Sequence, residues 1–544
     1  KRVFFFSCSD YYRRFYSLQE PSKASAERGS VAMTLLAAVT TLDWRLLTTT
    51  LIFLATYYLV RFYHRVSQYP KGPFPLPVVG NLLKLSRERE LHKKVMAWSK
   101  SYGGPFTLWM GSKPMIVLNG HEAIKEAFIE RRHDFAGRFA TKLGDVQRQE
   151  DHDIVFEDYN ALWKALRKVA VSAVRKYAVS ESLQNICTEI VDAYVDSLGE
   201  QPVTIDARDP LMFIIFNVIS VSAFSAKFEA NSPDLTRIIT INREFAKLAP
   251  NGLPSDIAPW LGIIYHSREK KCKNLFKEMR TIVDRLYASA KRTYEPGKIS
   301  NFTHAMLASR EEALEQEKSD ADFLTEGNMV QILIDIFGAG TDTSIGELQW
   351  LLLKISREPK VHERIQKEID DNIGSAPPTM QDKEKLPYTV ACIMETLRFY
   401  PIAPFGLPHK ASCDSQIGHV KIPKDTRILY NIYSVNHDPK IWPDHNVFRP
   451  ERFLDTVTGK LATKDQMPPL LSFGLGPRAC PGEKLAQADM FYVLVRLLQR
   501  LNVSAPEGTV GKEATPKGYS FFLIADRQDV VLTKRTLTKA TTDD

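Results

Sequence analysis

FGLGPRACPGE, Phe473 to Glu483, decides how the rest of this chain is read. Gly474, Gly476 and Gly482 surround one cysteine, Cys480, and the run EKLAQADMFYVLVRLLQRL that starts at Glu483 carries helical spacing. Glycine lets a backbone turn tightly, which a thiolate needs if it is to reach a metal from one side of a flat macrocycle. Phe473 can shield the sulfur, Arg478 can pair with a carboxylate of a bound group, and the start of the next helix favours a negative sulfur. A cysteine buried for packing alone is the competing reading, and it gives the glycines and Arg478 no purpose.

The rest of the chain fits one large folded domain with an anchor. It has 544 residues, 44% hydrophobic, 10% aromatic and 25% charged, a composition that argues against disorder. The net charge of +8 suits an acidic protein partner or an anionic membrane surface. No finger spacing, RNA-binding signature or long basic arm is present, so nucleic acid is not an expected partner. Six sparse cysteines, with no close pair, argue against a disulfide framework or a zinc site and favour a reducing compartment.

From Met33 to Tyr63 the chain is mostly apolar, and LLTTTLIFLATYYLV, Leu46 to Val60, has no charge. With its aromatic edges this reaches the roughly 20 residues of a membrane span. Arg61, His64, Arg65 and Lys71 follow, and the positive-inside rule places that side and all that comes after it in the cytoplasm. The expected organisation is a leader of doubtful origin at 1–32, a membrane anchor at 33–63, a proline-rich strap at 64–81 and a catalytic domain at 82–544. Pro73, Pro75 and Pro77 stiffen the strap.

Amphipathic periodicity predicts helices over Asp158–Ala178, Ser180–Leu198, Pro210–Ser225, Ser267–Thr293, Gly327–Ser356, Lys360–Ile373 and Lys385–Phe399. A hairpin is expected at Phe106–Gly120, and strands at Val420–Tyr433 and Tyr519–Ala525. The fold class is therefore mainly α (α+β): one helix-rich domain with small peripheral β-sheets behind an N-terminal transmembrane helix.

Two helical segments carry unusual polar residues. In FGAGTDTS, Phe337 to Ser344, two glycines interrupt the most apolar long helix at a cost of about 1 kcal/mol each, which calls for compensation. Glu395 and Arg398 share one helix face at i and i+3, which alone could be a solvated ion pair.

With Phe473, Gly476, Arg478, Cys480 and Gly482 matching F-x-x-G-x-R-x-C-x-G, the sequence resembles the cytochrome P-450 family over residues 70 to 535. The resemblance implies haem b with Cys480 as axial thiolate, a ligand that favours O–O cleavage and oxidation of an unactivated carbon. It implies that Glu395, Arg398 and Arg452 (of FRPERF) form a structural triad. Ala339, Gly340, Asp342, Thr343 and Ser344 match A-G-x-[DE]-T-[ST], where Thr343 hydrogen-bonds oxygen or a water and Asp342 links that water to solvent. Trp163, Arg167 and His409 match positions that reach the haem propionates, joining Arg478.

Substrate contacts are expected at Phe135, Ala339, Ile402, Ala403, Phe405 and Phe521, all apolar. Within the family it resembles animal microsomal steroid 17-hydroxylases and aryl-hydrocarbon-oxidising members, a likeness carried by NVISVSAF (Asn217 to Phe224), DIFGAGTDTS (Asp335 to Ser344), PIAPFGLPHKA (Pro401 to Ala411) and FGLGPRACPGE. The implied partners are O2, an NADPH-fed reductase, cytochrome b5 and the endoplasmic reticulum membrane. The basic cluster Lys164, Arg167, Lys168, Arg175 and Lys176 suits an acidic reductase. Asp342 stands where the steroid enzymes usually carry Glu. Pro481 removes one backbone donor that could reach the sulfur, so weaker hydrogen bonding to it is expected. A haem-thiolate isomerase or dehydratase, and a non-catalytic haem sensor, are the rival readings.

Overall fold

A computed structural model describes residues 44–178, 181–229, 232–249, 251–316, 320–518 and 521–535. The leader expected at 1–32 and the first part of the anchor lie outside them. The described chain falls into two units, divided after Gln68.

The first unit contains α1 (Trp44–Ser67), 24 residues with His64 and Arg65 in the last turn. Among the described residues it is the one helix long and apolar enough to cross a membrane. At 1.5 Å per residue it extends about 36 Å, against a hydrocarbon core of about 30 Å.

Eleven helices of twelve residues or more build the described part of the second unit: α2 (Leu91–Tyr102), α3 (Ala161–Ala178), α4 (Glu181–Ser197), α5 (Arg208–Phe224), α6 (Pro233–Leu248), α7 (His266–Arg292), α8 (Phe302–Glu315), α9 (Glu326–Arg357), α10 (Pro359–Asn372), α11 (Pro387–Phe399) and α12 (Glu483–Arg500). Six of the seven predicted helices keep their place within two residues at each end, and α3 starts three residues later than expected. The α9 helix, 32 residues long, starts at Thr325, whose hydroxyl accepts from Asn328 N–H. It packs on α5, where Phe337 meets Phe216 and Phe224 at ring centroids of 5.8 and 6.3 Å. The α12 helix packs on α4, so the helix that begins beyond Cys480 is anchored deep in the main core.

The small sheets are peripheral, as expected. β1 (Phe106–Met110) and β2 (Lys113–Leu118) form the predicted hairpin. With β4 (His409–Lys410) and β7 (Arg427–Tyr430) they make a four-stranded sheet in the order β1-β2-β7-β4, in which β2 and β7 run parallel. The other sheets join β3 (Val203–Asp206), β9 (Asp529–Lys534) and β8 (Leu501–Ser504), and β5 (Ser415–Ile417) with β6 (Val420–Ile422).

Two strand expectations change. Val420–Tyr433 splits into β6 and β7 around a turn in which Asp425 takes φ 63°, and Ile432–Asn436 is helical. Residues 521–525 form no strand, because their backbone bonds elsewhere: Leu523 N–H donates to Ile402 O at 2.9 Å, and Leu523 O accepts from the Trp350 indole at 2.8 Å. The described cysteines are all free thiols.

Candidate active site

The cysteine loop is built by backbone geometry. Gly474 and Gly476 both take φ 73°, and a Cβ at Gly476 would stand 2.2 Å from the carbonyl oxygen of Phe128, so only glycine fits there. Cys480 N–H donates to Phe473 O at 2.8 Å, which folds the loop back on itself. Gly482 is the N-cap of α12, and its N–H reaches the sulfur. Burial raises the Cys480 thiol pKa, while the Gly482 N–H and nearby Arg167 pull it down. The residue is nevertheless exposed. A side chain both desolvated by protein and exposed borders an open space inside the fold.

Beside the loop lie three guanidiniums with no carboxylate of the described residues within ion-pair reach. Arg478 donates from Nε to Ala136 O at 2.9 Å and from Nη2 to Glu157 O at 2.7 Å, and its Nη1 is buried without a partner. Arg138 bonds the carbonyls of Val155, Leu407 and Pro408 at 3.1, 3.2 and 2.8 Å. Arg167 bonds the carbonyl of Ala479. Burial, with Arg138 and Arg167 close by, pushes Arg478 down to about 8. Arginine does not deprotonate in proteins, so three buried, neighbouring guanidiniums stay charged. Mutually close cations that bond only carbonyls require a group carrying more than one negative charge. A haem with two propionates would meet that requirement, and the open sulfur of Cys480 would hold its iron.

Some expected contacts differ. Trp163 has one donor, and it bonds Ile154 O at 3.1 Å. The indole supports the cradle with its face: Arg478 stacks 3.9 Å from the ring centroid, and Arg167 lies 5.8 Å away. His409 is buried between Phe128 and Tyr430, with Nδ1–H donated to Phe135 O at 2.7 Å. Burial, helped by Arg138 and Arg478, holds it well below the usual histidine range, hence neutral.

One carbonyl on each of Trp163, Arg138 and Arg478 comes from residues 154–157, and α9 pins this segment through Asp335, whose Oδ2 accepts from Ile154 N–H at 2.9 Å. Arg138, Phe128 and Tyr430 were not singled out from the sequence. The only hint was a charged residue just after the apolar Phe135, with nothing to show that it turns inward.

The α9 helix changes character midway. Residues 328–337 and 344–357 are buried without a break, yet Gly338 and Ala339 are exposed and a Cβ at Gly338 would meet nothing within 4 Å. A helix enclosed on both sides of such a window borders a cavity. Thr343 Oγ1 donates to Ala339 O at 2.7 Å, as mid-helix hydroxyls do. Asp342 does not stand free: Arg208, the first residue of α5, donates to its Oδ1 at 2.6 Å. Burial raises the Asp342 carboxyl pKa and Arg208 opposes it.

Of the residues expected to face substrate, Ala339 lies in the window, and Ala403 and Phe521 are half-buried. Ile402 is 8% exposed. Phe135 and Phe405 are wholly enclosed in the packing around the four-stranded sheet, so neither offers a ligand a surface. Phe405 instead backs Phe521, with ring centroids 5.0 Å apart.

The triad is formed. Arg398 Nε and Nη2 lie 2.7 and 2.8 Å from the Glu395 carboxylate, and Arg452 Nε lies 3.1 Å away. Glu395 and Arg398 have no exposed surface. Arg398 also bonds the carbonyls of Asn436, His445 and Val447, so the triad holds the segment that leads to the cysteine loop.

An open sulfur held in a glycine loop, flanked by a cationic cradle that lacks its anion, defines a haem-thiolate protein. The family model Cytochrome P450 matches residues 70–531, and the chain belongs to the cytochrome P450 family, as a haem-thiolate monooxygenase. Steroid 17-alpha-hydroxylase/17,20 lyase of Capra hircus is 30% identical over 470 residues, 85% of this chain and 92% of its own length. The proteins of that name from Macaca fascicularis and Bison bison are 29% identical over 447 and 487 residues, covering 81% and 88% of this chain and 88% and 95% of their own.

Replacing Arg478 by leucine is expected to speed transfer of haem to a scavenger protein by about 10- to 100-fold, the loss of one charge-assisted bond. An unchanged transfer rate would remove Arg478 from the cradle.

Proposed function

We propose that this protein inserts one oxygen atom of O2 into a lipophilic, steroid-like or aromatic substrate, with electrons from NADPH delivered by a reductase and cytochrome b5 as a second donor. The observation that carries this reading is the exposed window at Gly338–Ala339 in the otherwise buried α9, next to Asp342 and Thr343. In this reading that window and Cys480 border the same space.

Haem, when bound, supplies the oxygen activation that no side chain can. Cys480 would hold it, and Arg138, Arg167 and Arg478 would hold its propionates. Thr343 offers a hydroxyl that can leave the Ala339 carbonyl to bond a water. Asp342, its pKa raised by burial, can pass a proton to that water when its pair with Arg208 opens. Ala339, Ile402, Ala403 and Phe521 would bound the substrate space. The names of the relatives support a steroid, and the apolar lining suits one.

The α1 helix would anchor the protein in the endoplasmic reticulum, with the proline strap at 64–81 leading to a cytoplasmic catalytic domain. Lys164, Lys168 and Arg175 lie exposed on α3 and suit an acidic reductase, while Arg167 turns inward to the cradle.

The test is the reduced carbon-monoxide spectrum of the haem-loaded protein, followed by titration with steroids and polycyclic aromatics. A red-shifted band, ligand-induced spectral shifts and steady NADPH consumption with a reductase are expected. Turnover of a peroxide without reductase would replace this reading with an isomerase or dehydratase.

A further inference from the structure

One turn beyond Thr343, α9 carries a carboxyl that the reaction does not use. Glu347 is 4% exposed. Its Oε1 accepts from Ile402 N–H at 3.0 Å, and its Oε2 is buried with no partner. Burial pushes its pKa to about 8, opposed only by that one N–H.

The opposite side of the same residue is also tied, since Ile402 O accepts from Leu523 N–H at 2.9 Å and Leu523 O accepts from Trp350 Nε1 at 2.8 Å. Trp350, again on α9, stacks on Tyr400 at 4.2 Å. Gly346 lets Ile402 lie on the helix, because a Cβ there would come within 2.5 Å of Ile402 Cδ1. Ile402 is thus clamped through its N–H by one α9 side chain and through its carbonyl by a turn that another α9 side chain holds.

One hydrogen bond does not offset the burial of a carboxyl, so an apolar residue at 347 would pack at lower cost. What the carboxyl adds is a fixed position for one peptide group. Since Oε2 is closed off from solvent, Glu347 acts through Ile402 and does not touch a ligand.

We propose that Glu347 is a positioning residue that fixes Ile402 and Ala403 against α9 and so determines which carbon of a lipophilic substrate is oxidised. This rests on the reading above that Ile402 and Ala403 border the substrate space.

The test uses the full, haem-loaded chain as wild type, Glu347→Gln, Glu347→Val and Glu347→Met. Two rigid probes with several oxidisable carbons serve as ligands, progesterone and phenanthrene. The glutamine variant keeps an acceptor for Ile402 N–H, so its product ratio should stay within about 2-fold of wild type. The valine and methionine variants orphan that N–H, so they should redistribute products and weaken the spectral dissociation constant by about 10-fold. The carbon-monoxide band should persist in all of them.

Hydrogen exchange at Ile402 should be slow in wild type and the glutamine variant, and fast in the apolar variants. Equal exchange in all four proteins would overturn the proposal. So would a glutamine variant that loses turnover as fully as the apolar ones with an unchanged product ratio and a raised solvent isotope effect, which would make Glu347 a proton carrier. If wild type shows a normal carbon-monoxide band but binds neither probe, the substrate reading fails, and exchange at Ile402 alone decides whether the clamp exists.

Discussion

Replacing Cys480 by alanine removes the red-shifted carbon-monoxide band of the reduced protein and lowers product formation to below about 1% of wild type, because the thiolate is what favours O–O cleavage. The loop itself should survive. Its shape comes from the φ 73° turns at Gly474 and Gly476, the Cys480 N–H bond to Phe473 O, and the Arg478 bonds to Ala136 and Glu157 carbonyls. None of these uses the sulfur. The far-UV circular dichroism spectrum should therefore match wild type while the band is lost. A variant that keeps the band would show that another residue is the ligand.

Replacing Glu395 by leucine should cost about 3–5 kcal/mol, the usual consequence of removing one partner of a buried ion pair. The cost is high here because Arg398, with no exposed surface, and Arg452, at 5%, would lose their common anion. Against a total stability of about 5–15 kcal/mol, little haem-loaded protein should accumulate. The urea midpoint and the ratio of haem to protein measure the effect. An unchanged midpoint would mean that the three carbonyls on Arg398 suffice without the carboxylate. Glu395→Gln, which keeps an acceptor, should fall between the two.

That triad shows what one sequence can reveal. Glu395 and Arg398 are one helical turn apart, so their proximity follows from geometry alone. Arg452 entered only through the resemblance, since nothing local brings a residue 57 positions from Glu395 into the same site. Long amphipathic helices were legible for the same local reason. Asp342 was singled out through the motif it matches, but its partner Arg208 lies on another helix and leaves no trace near it in the chain. Trp163 shows a subtler limit. Its position on α3 was readable, yet the carbonyl of Ile154 that takes its only N–H belongs to an irregular segment whose path no periodicity encodes. FFLI at 521–524 looked like a strand because it is apolar, but a strand also needs a neighbour for its backbone. There the neighbours are the Ile402 carbonyl and the Trp350 indole.

The Arg478 bond to the Ala136 carbonyl spans 342 residues, and Asn431 bonds Asn119 across 312. At translation rates of about 5–20 residues per second, roughly 20 to 70 s pass between the synthesis of Ala136 and of Arg478. Throughout that time Arg138 and Arg167 exist without the loop that completes their site, and β2 without its parallel neighbour β7. The two halves of the cradle therefore come together only late in synthesis. A ribosome stalled before residue 480 would release a chain with most of its helical core and no means of holding its iron.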